Sequence, residues 1–180
     1  MNNHRSFNSR SALKITLVAA LAAVGGLDAA PALAGSAFTN LGVSATVANS
    51  CTVATTAVTF GTYDGVVTNV TAPLDSPGTV TVTCTLAGAD VTVTLSEGTN
   101  KDSTSTAAAP VRRMVDGASH YMSYALYSDT GHSTNFGSAG VPNTPTGSAV
   151  DTTVYGRIAA GQNTLPAGNY TDTVVATVTF

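Results

Sequence analysis

Thr79-Val80-Thr81-Val82-Thr83-Cys84-Thr85-Leu86 alternates a threonine with an apolar residue at every step. Period two puts Val80, Val82, Cys84 and Leu86 on one face and the threonines on the other, which predicts a half-buried strand. The same reading extends outward. Val91, Val93 and Leu95 alternate with Thr92 and Thr94, Met122, Tyr124 and Leu126 with Ser123 and Ala125, and Val154, Gly156 and Ile158 with Tyr155 and Arg157. The longest such run is the last. From Tyr170 to Phe180, Val174, Ala176, Val178 and Phe180 share one parity with Tyr170 and Asp172, and Thr171, Thr173, Val175, Thr177 and Thr179 share the other.

Between these runs lie Tyr63-Asp64-Gly65, Asp75-Ser76-Pro77-Gly78, Ala87-Gly88-Ala89-Asp90, Ser96-Glu97-Gly98-Thr99-Asn100, Asp129-Thr130-Gly131 and Leu165-Pro166-Ala167-Gly168. Each has turn chemistry, and in the last the proline presets φ at the second position while glycine is free at the fourth. Short alternating runs punctuated in this way, with no amphipathic helical pattern, predict an all-β antiparallel sandwich. Gly137 to Asp151 and Asn100 to Ala109 read as long surface loops. No repeat period of solenoid or propeller type appears.

The chain has 180 residues, 9% charged and 43% hydrophobic, with a formal charge of −3. Seven basic residues give no electrostatic footprint for phosphate, so nucleic acid is not an expected partner. Arg5, Arg10 and Lys14 precede the apolar run Ile15 to Leu27, and Ala32-Leu33-Ala34 precedes Gly35. A basic head, a short apolar stretch and a small-residue site predict a signal peptide over residues 1–34, cleaved between Ala34 and Gly35. The apolar run is too short for a bilayer span of about 20 residues. Beyond it only Lys101, Arg112, Arg113 and Arg157 are basic. The two cysteines, Cys51 and Cys84, would meet an oxidising compartment, which predicts a disulfide.

Both ends of the predicted mature chain look unfinished for an antiparallel sandwich, whose edges must be managed. The last strand runs to Phe180 with nothing after it to cover its edge. Residues 35–46, leading into a domain over 47–180, supply a surplus strand, with Ala37, Leu41, Val43, Ala45 and Val47 on one face. A surplus strand at one end and an uncovered one at the other suggest complementation between copies, and head-to-tail contacts of that kind build filaments. The alternative is that residues 37–47 fold back as the first strand of their own domain.

Several motifs in order carry a family resemblance: the leader before Cys51-Thr52-Val53, Phe60-Gly61-Thr62-Tyr63, Val80-Thr81-Val82-Thr83-Cys84-Thr85, Arg113-Met114, Tyr124-Ala125-Leu126-Tyr127, Val154-Tyr155-Gly156-Arg157-Ile158, and Pro166-Ala167-Gly168-Asn169-Tyr170-Thr171-Asp172 with its valine-rich continuation. The chain resembles the spore coat protein U family, which includes single-domain subunits of archaic chaperone-usher pili. Family members often carry Trp-Gly where this chain has Phe136-Gly137.

The resemblance implies an incomplete immunoglobulin-like sandwich lacking its last strand, held by a periplasmic chaperone and polymerised at an outer-membrane usher into a surface fibre for attachment and biofilm formation. It implies that Leu41, Val43 and Ala45, with Ala37 and Val47, enter a neighbour's groove. It implies further that Val174, Ala176, Val178 and Phe180 line the acceptor groove. The size fits a shaft subunit.

Enzyme readings find little footing. His120 and His132 stand 12 positions apart, with no Cys or His at ligand spacing, so a metal-binding sandwich is a weak alternative. No nucleophile-elbow or phosphate-loop motif appears, and neither catalytic residue nor cofactor is expected. A monomeric Ig-like module binding a glycan or protein is the stronger alternative. Asp172 reads either as a partner of Arg157 or Arg113 or as a cap of the turn. Arg112-Arg113 reads as a solvated pair at a strand edge or as a carboxylate or glycan contact, and Tyr121, Tyr124 and Tyr127 as packing residues or a sugar platform.

Overall fold

The computed structural model describes residues 34–88 and 90–180. The expected signal peptide therefore lies, up to Leu33, outside the described residues, and Ala34 and Gly35 are exposed. The chain divides into two units, Met1–Ser44 and Ala45–Phe180. Residues 34–50 are exposed at every position and belong to no strand, so they do not form a first strand of the chain's own sheet.

Within the second unit the fold is all-β and antiparallel. The strands are β1 (Cys51–Thr56), β2 (Leu74–Cys84), β3 (Val91–Leu95), β4 (Arg112–Val115), β5 (Tyr121–Tyr127), β6 (Val141–Asn143), β7 (Val150–Ile158) and β8 (Ala176–Thr179). One sheet has the order β1-β2-β7-β5-β4, and the other has the order β6-β3-β8. Alternation decides which residues face inward. Val80, Val82 and Cys84, Val91, Val93 and Leu95, Met122, Tyr124 and Leu126, and Val154 and Ile158 form the buried core with Phe136. These are the apolar positions expected from period two, because facing sheets can bury only one parity of each strand.

The cysteines pair as expected. Cys51 and Cys84 are register partners on β1 and β2, joined by a disulfide across a sequence separation of 33. Phe136 is 1% exposed, and its amide donates to the Leu126 carbonyl (2.8 Å). A side chain at Gly137 would meet the Ala107 carbonyl at 2.6 Å, so the Phe136-Gly137 element lets the 100–109 loop lie directly over the aromatic.

Three expectations about loops and strands need correction. Asp75-Ser76-Pro77-Gly78 is not a turn but the first part of β2, paired with Gly156, Tyr155 and their neighbours on β7. β1 begins its pairing only at Thr79, so β2 has a partner on one side alone there and can carry a proline. Gly137 to Asp151 is not one loop: it contains β6, and β7 starts at Val150, because β3 supplies β6 with a ladder through Val91–Asn143 and Val93–Val141. The Tyr170–Phe180 run keeps its parity, with even positions half-buried from Tyr170 to Val178, but only Ala176–Thr179 is regular strand. Upstream, β3 has ended at Leu95, and the run is held by a Val115–Thr171 bridge and by bonds from Ser96 and Thr99 to Val175 and Thr173.

Candidate functional site

β8 pairs with β3 and β1 pairs with β2; among the described residues neither has a second partner. Each therefore presents a row of unpaired backbone donors and acceptors, a template for another strand. Between these edges the sandwich is open. A cleft of about 390 Å³ lies there, floored by Val80, Leu95, Leu126 and Val154 and walled by Thr55 and Thr56 on one side and Val174 and Ala176 on the other. Its floor is the domain core itself.

Val58 and Phe60 close part of the floor by crossing two glycines. A side chain at Gly78 would approach Val58 to 2.6 Å, and one at Gly156 would approach Val58 to 2.5 Å and Phe60 to 2.9 Å. Phe60 then meets Tyr124 edge-on, with ring centroids 6.2 Å apart. The strand edge β1 stays exposed, with Val53 47% accessible, because nothing among the described residues covers its inward face.

The far end of the cleft is polar. Asp172 lines it together with Tyr170 and Thr171. The Asp172 carboxylate accepts hydrogen bonds from Tyr124 Oη (2.7 Å), Asn100 N (3.0 Å) and Asn100 Nδ2 (3.1 Å). Burial, reinforced by the carboxylate, pushes the Tyr124 phenol well above its ordinary range and keeps it a neutral donor. Asp172 thus caps the Asn100 loop and pairs with neither arginine considered for it. Arg157 forks onto Asp75 at 2.7 Å through both Nε and Nη2, and Arg113 pairs with Asp102 at 3.0 Å and stacks on Tyr121.

Arg112 departs from the expectation of a solvated doublet. It is 1% exposed and donates to the carbonyls of Ser96 (2.6 Å) and Phe136 (2.7 Å). Burial lowers its pKa, opposed by Tyr124, Asp172 and Glu97. Arg112 Nη1 and Glu97 Oε1 are buried without a hydrogen-bond partner. A charged residue at a strand start gives no sequence signal of burial, so this clamp was not legible. Phe60 entered only through Phe60-Gly61-Thr62-Tyr63 and Val58 was missed; the alternation in Ala57-Val58-Thr59-Phe60 is the signal that could have found both.

Of the expected groove residues, Val174 and Ala176 line the cleft, and Val178 is half-buried against the core opposite Val93. Phe180 is 60% exposed and lies at the other pole, in a shallow notch with Leu86 and the disulfide. Of the expected donor residues, Leu41, Val43 and Val47 are 84–89% exposed, and Ala37 and Ala45 are exposed too. Each histidine has company of its own: His120 Nδ1 lies 2.7 Å from Asp116, and His132 packs between Tyr127 and Tyr155. Among the described residues no three His, Cys, Asp or Glu side chains cluster as a metal site.

Residues 37–177 match the family model of the Spore Coat Protein U domain. The chain belongs to the Spore Coat Protein U domain family. It is also 40% identical, over 94% of its own length and 99% of the relative's, to Protein U of Myxococcus xanthus. The family is structural and non-enzymatic, and its members are associated with coats or surfaces. This chain is accordingly a surface structural protein with an open cleft in its core.

Proposed function

We propose that the chain is the shaft subunit of a surface fibre of the chaperone-usher kind, polymerised when residues 37–47 of one copy enter the cleft of the next. The observation that carries this reading is the cleft itself: two unpartnered strand edges face each other across an exposed part of the core. The occupant it calls for is a strand with small or medium apolar residues at every second position. Residues 37–47 have that pattern, with Ala37, Leu41, Val43, Ala45 and Val47 on one parity, and they are exposed at every position. Burying a valine or leucine side chain contributes about 1.5–3 kcal/mol, and ladder bonds to β8 add about 1 kcal/mol each.

An uncovered cleft of this kind makes a free subunit prone to aggregate, which is why a periplasmic chaperone and an outer-membrane usher fit as partners. Export through the periplasm, attachment and biofilm formation follow from the same reading. Removal of residues 35–46 tests it. The shortened subunit should fold when a chaperone occupies its cleft, accept a donor from an intact copy, and fail to donate; electron microscopy should show no fibres from it alone. Undiminished fibres would sink the reading. A loss of the subunit's own folding would favour a self-complete domain instead.

A further inference from the structure

The two poles of the domain each expose apolar side chains, and the donor-strand reading dictates how they meet. At one pole Asp64 Oδ1 accepts from the amides of Val66 (2.9 Å) and Val67 (3.0 Å). Asn69, 3% exposed, fixes the other side of this loop through Asp64 N and the Ala72 carbonyl. The loop is tied to the end of β7 by Gly161 N donating to the Asn69 carbonyl (2.8 Å) and Tyr63 Oη donating to the Ala159 carbonyl (2.9 Å). A loop so fastened nevertheless leaves Val66 and Val67 78% and 75% exposed, with Val70 beside them at 41%. Ordering it on contact costs little, since it is already ordered.

The opposite pole is set by the disulfide end of β1 and β2, where Leu86 and Phe180 are 49% and 60% exposed. There the chain leading from the donor segment is fastened down: Thr85 Oγ1 bonds the Ala48 carbonyl (3.3 Å), and Thr85 N donates to the Ser50 carbonyl (2.9 Å). Val47 is the next residue before Ala48, about 3.8 Å away along the backbone. A donor strand that ends in a neighbour's cleft at Val47 therefore pulls the Leu86–Phe180 pole of its own domain against the mouth of that cleft. The neighbour's cleft is lined as far as Phe60 and Tyr170 at one end, while its Asn49, Ser50 and Cys51 line the separate notch with Leu86 and Phe180 at the opposite pole. The mouth near Phe60 and Tyr170 is on the side where Tyr63 and the valine loop stand.

We propose, resting on the donor-strand reading, that Val66, Val67 and Val70 of one copy pack against Leu86 and Phe180 of the next, a second contact that sets the angle between successive subunits of the fibre. The partner is thus a second copy of this chain, joined head to tail, and the tether makes the contact effectively intramolecular once the donor is seated.

Cross-linking in assembled fibres tests it. Val67→Cys and Leu86→Cys are placed in one full-length chain, and likewise Val66→Cys and Leu86→Cys. Fibres sheared from cells that assemble them are run in denaturing gels without reductant. The expected result is a ladder of covalent multimers from at least one double variant, lost on adding reductant and absent from each single variant. Fibres of normal appearance with no ladder would overturn the contact and leave the donor strand standing. A chain that forms no fibres even before substitution would overturn both.

Discussion

Tyr124 Oη donates to Asp172 Oδ2 across 2.7 Å, tying the middle of β5 to the segment that becomes β8. Among the described residues it is the one side-chain bond by which the five-stranded sheet reaches this wall of the cleft at its polar end; the Val115–Thr171 bridge does the same through the backbone. Because the wall has no strand on its outer side, these bonds hold it where a donor would otherwise do so.

Tyr124→Phe should therefore loosen the wall without emptying the core. Asp172 keeps its two bonds from Asn100, so the loss is one hydrogen bond to a charged acceptor, about 1.5–3 kcal/mol. Urea unfolding should show a lower midpoint at unchanged slope. Hydrogen exchange at the amides of Val175, Ser96 and Thr99, which hold this wall, should quicken beyond what the global change explains. An exchange pattern shifted evenly over all strands would contradict the role given to this bond.

Arg112 makes a larger claim. Its guanidinium satisfies the carbonyls of Ser96 and Phe136, which no other side chain among the described residues reaches. Arg112→Ala removes those bonds and leaves a void, a loss expected to exceed about 3 kcal/mol. Arg112→Lys should recover only part of it, because an ammonium cannot fork between two acceptors as a planar guanidinium does. A lysine variant as stable as the unsubstituted chain would show that the fork does not matter.

The disulfide holds the strand with least burial. β1 is exposed at every position after Cys51 and pairs only with β2. Closing a loop of this length contributes about 3–4 kcal/mol through the unfolded chain. A Cys51→Ser, Cys84→Ser variant should lose roughly that amount, and β1 amides should be the first to lose exchange protection. With β1 freed, one wall of the cleft goes, so the variant should also assemble poorly.

How much of this was legible depends on whether the information was local. Val80, Val82, Val91, Val93, Met122, Leu126 and Val154 declared their burial by alternation, because a strand in a sandwich buries one parity whatever its partner. Asp75-Ser76-Pro77-Gly78 read as a turn, since its strand character comes from β7, some 80 residues away. Arg112 was unreadable for the same reason, its acceptors being supplied by two other segments. The cleft itself was inferred from an uncovered last strand. Its polar end was not, because Asp172 and Tyr124 meet only in three dimensions.

Gly156 offers a test of the cleft floor. The alternation of Val154, Gly156 and Ile158 places it inward, and the missing side chain is where Val58 and Phe60 cross. Gly156→Ala should expel that segment, with an overpacking cost of about 1–3 kcal/mol. The Phe60–Tyr124 contact should be lost, which near-ultraviolet dichroism or ring chemical shifts would register. Substitution at Gly42, where an added methyl group meets nothing within 4 Å, serves as the control.

Acid should weaken the domain, and the sign follows from where its carboxylates point. Amides of Thr134 and Ser133 hold the Asp129 pKa at about 2, below the ordinary 3.8. Asp64 is lowered by the amides of Val67 and Val66, Asp75 by Arg157, Asp102 by the amide and hydroxyl of Thr104, and Asp116 by His120. A carboxyl whose pKa is lower folded than unfolded stabilises the fold above its unfolded value and loses that contribution as pH falls through its folded value. Thermal unfolding should thus be nearly level down to about pH 5 and fall progressively between about pH 4 and 2. Asp129→Asn, which cannot titrate, should flatten the lowest part of that decline while starting from a lower Tm at neutral pH. A melting temperature at pH 2.5 equal to that at pH 6 would mean these hydrogen bonds contribute no charge-dependent stability.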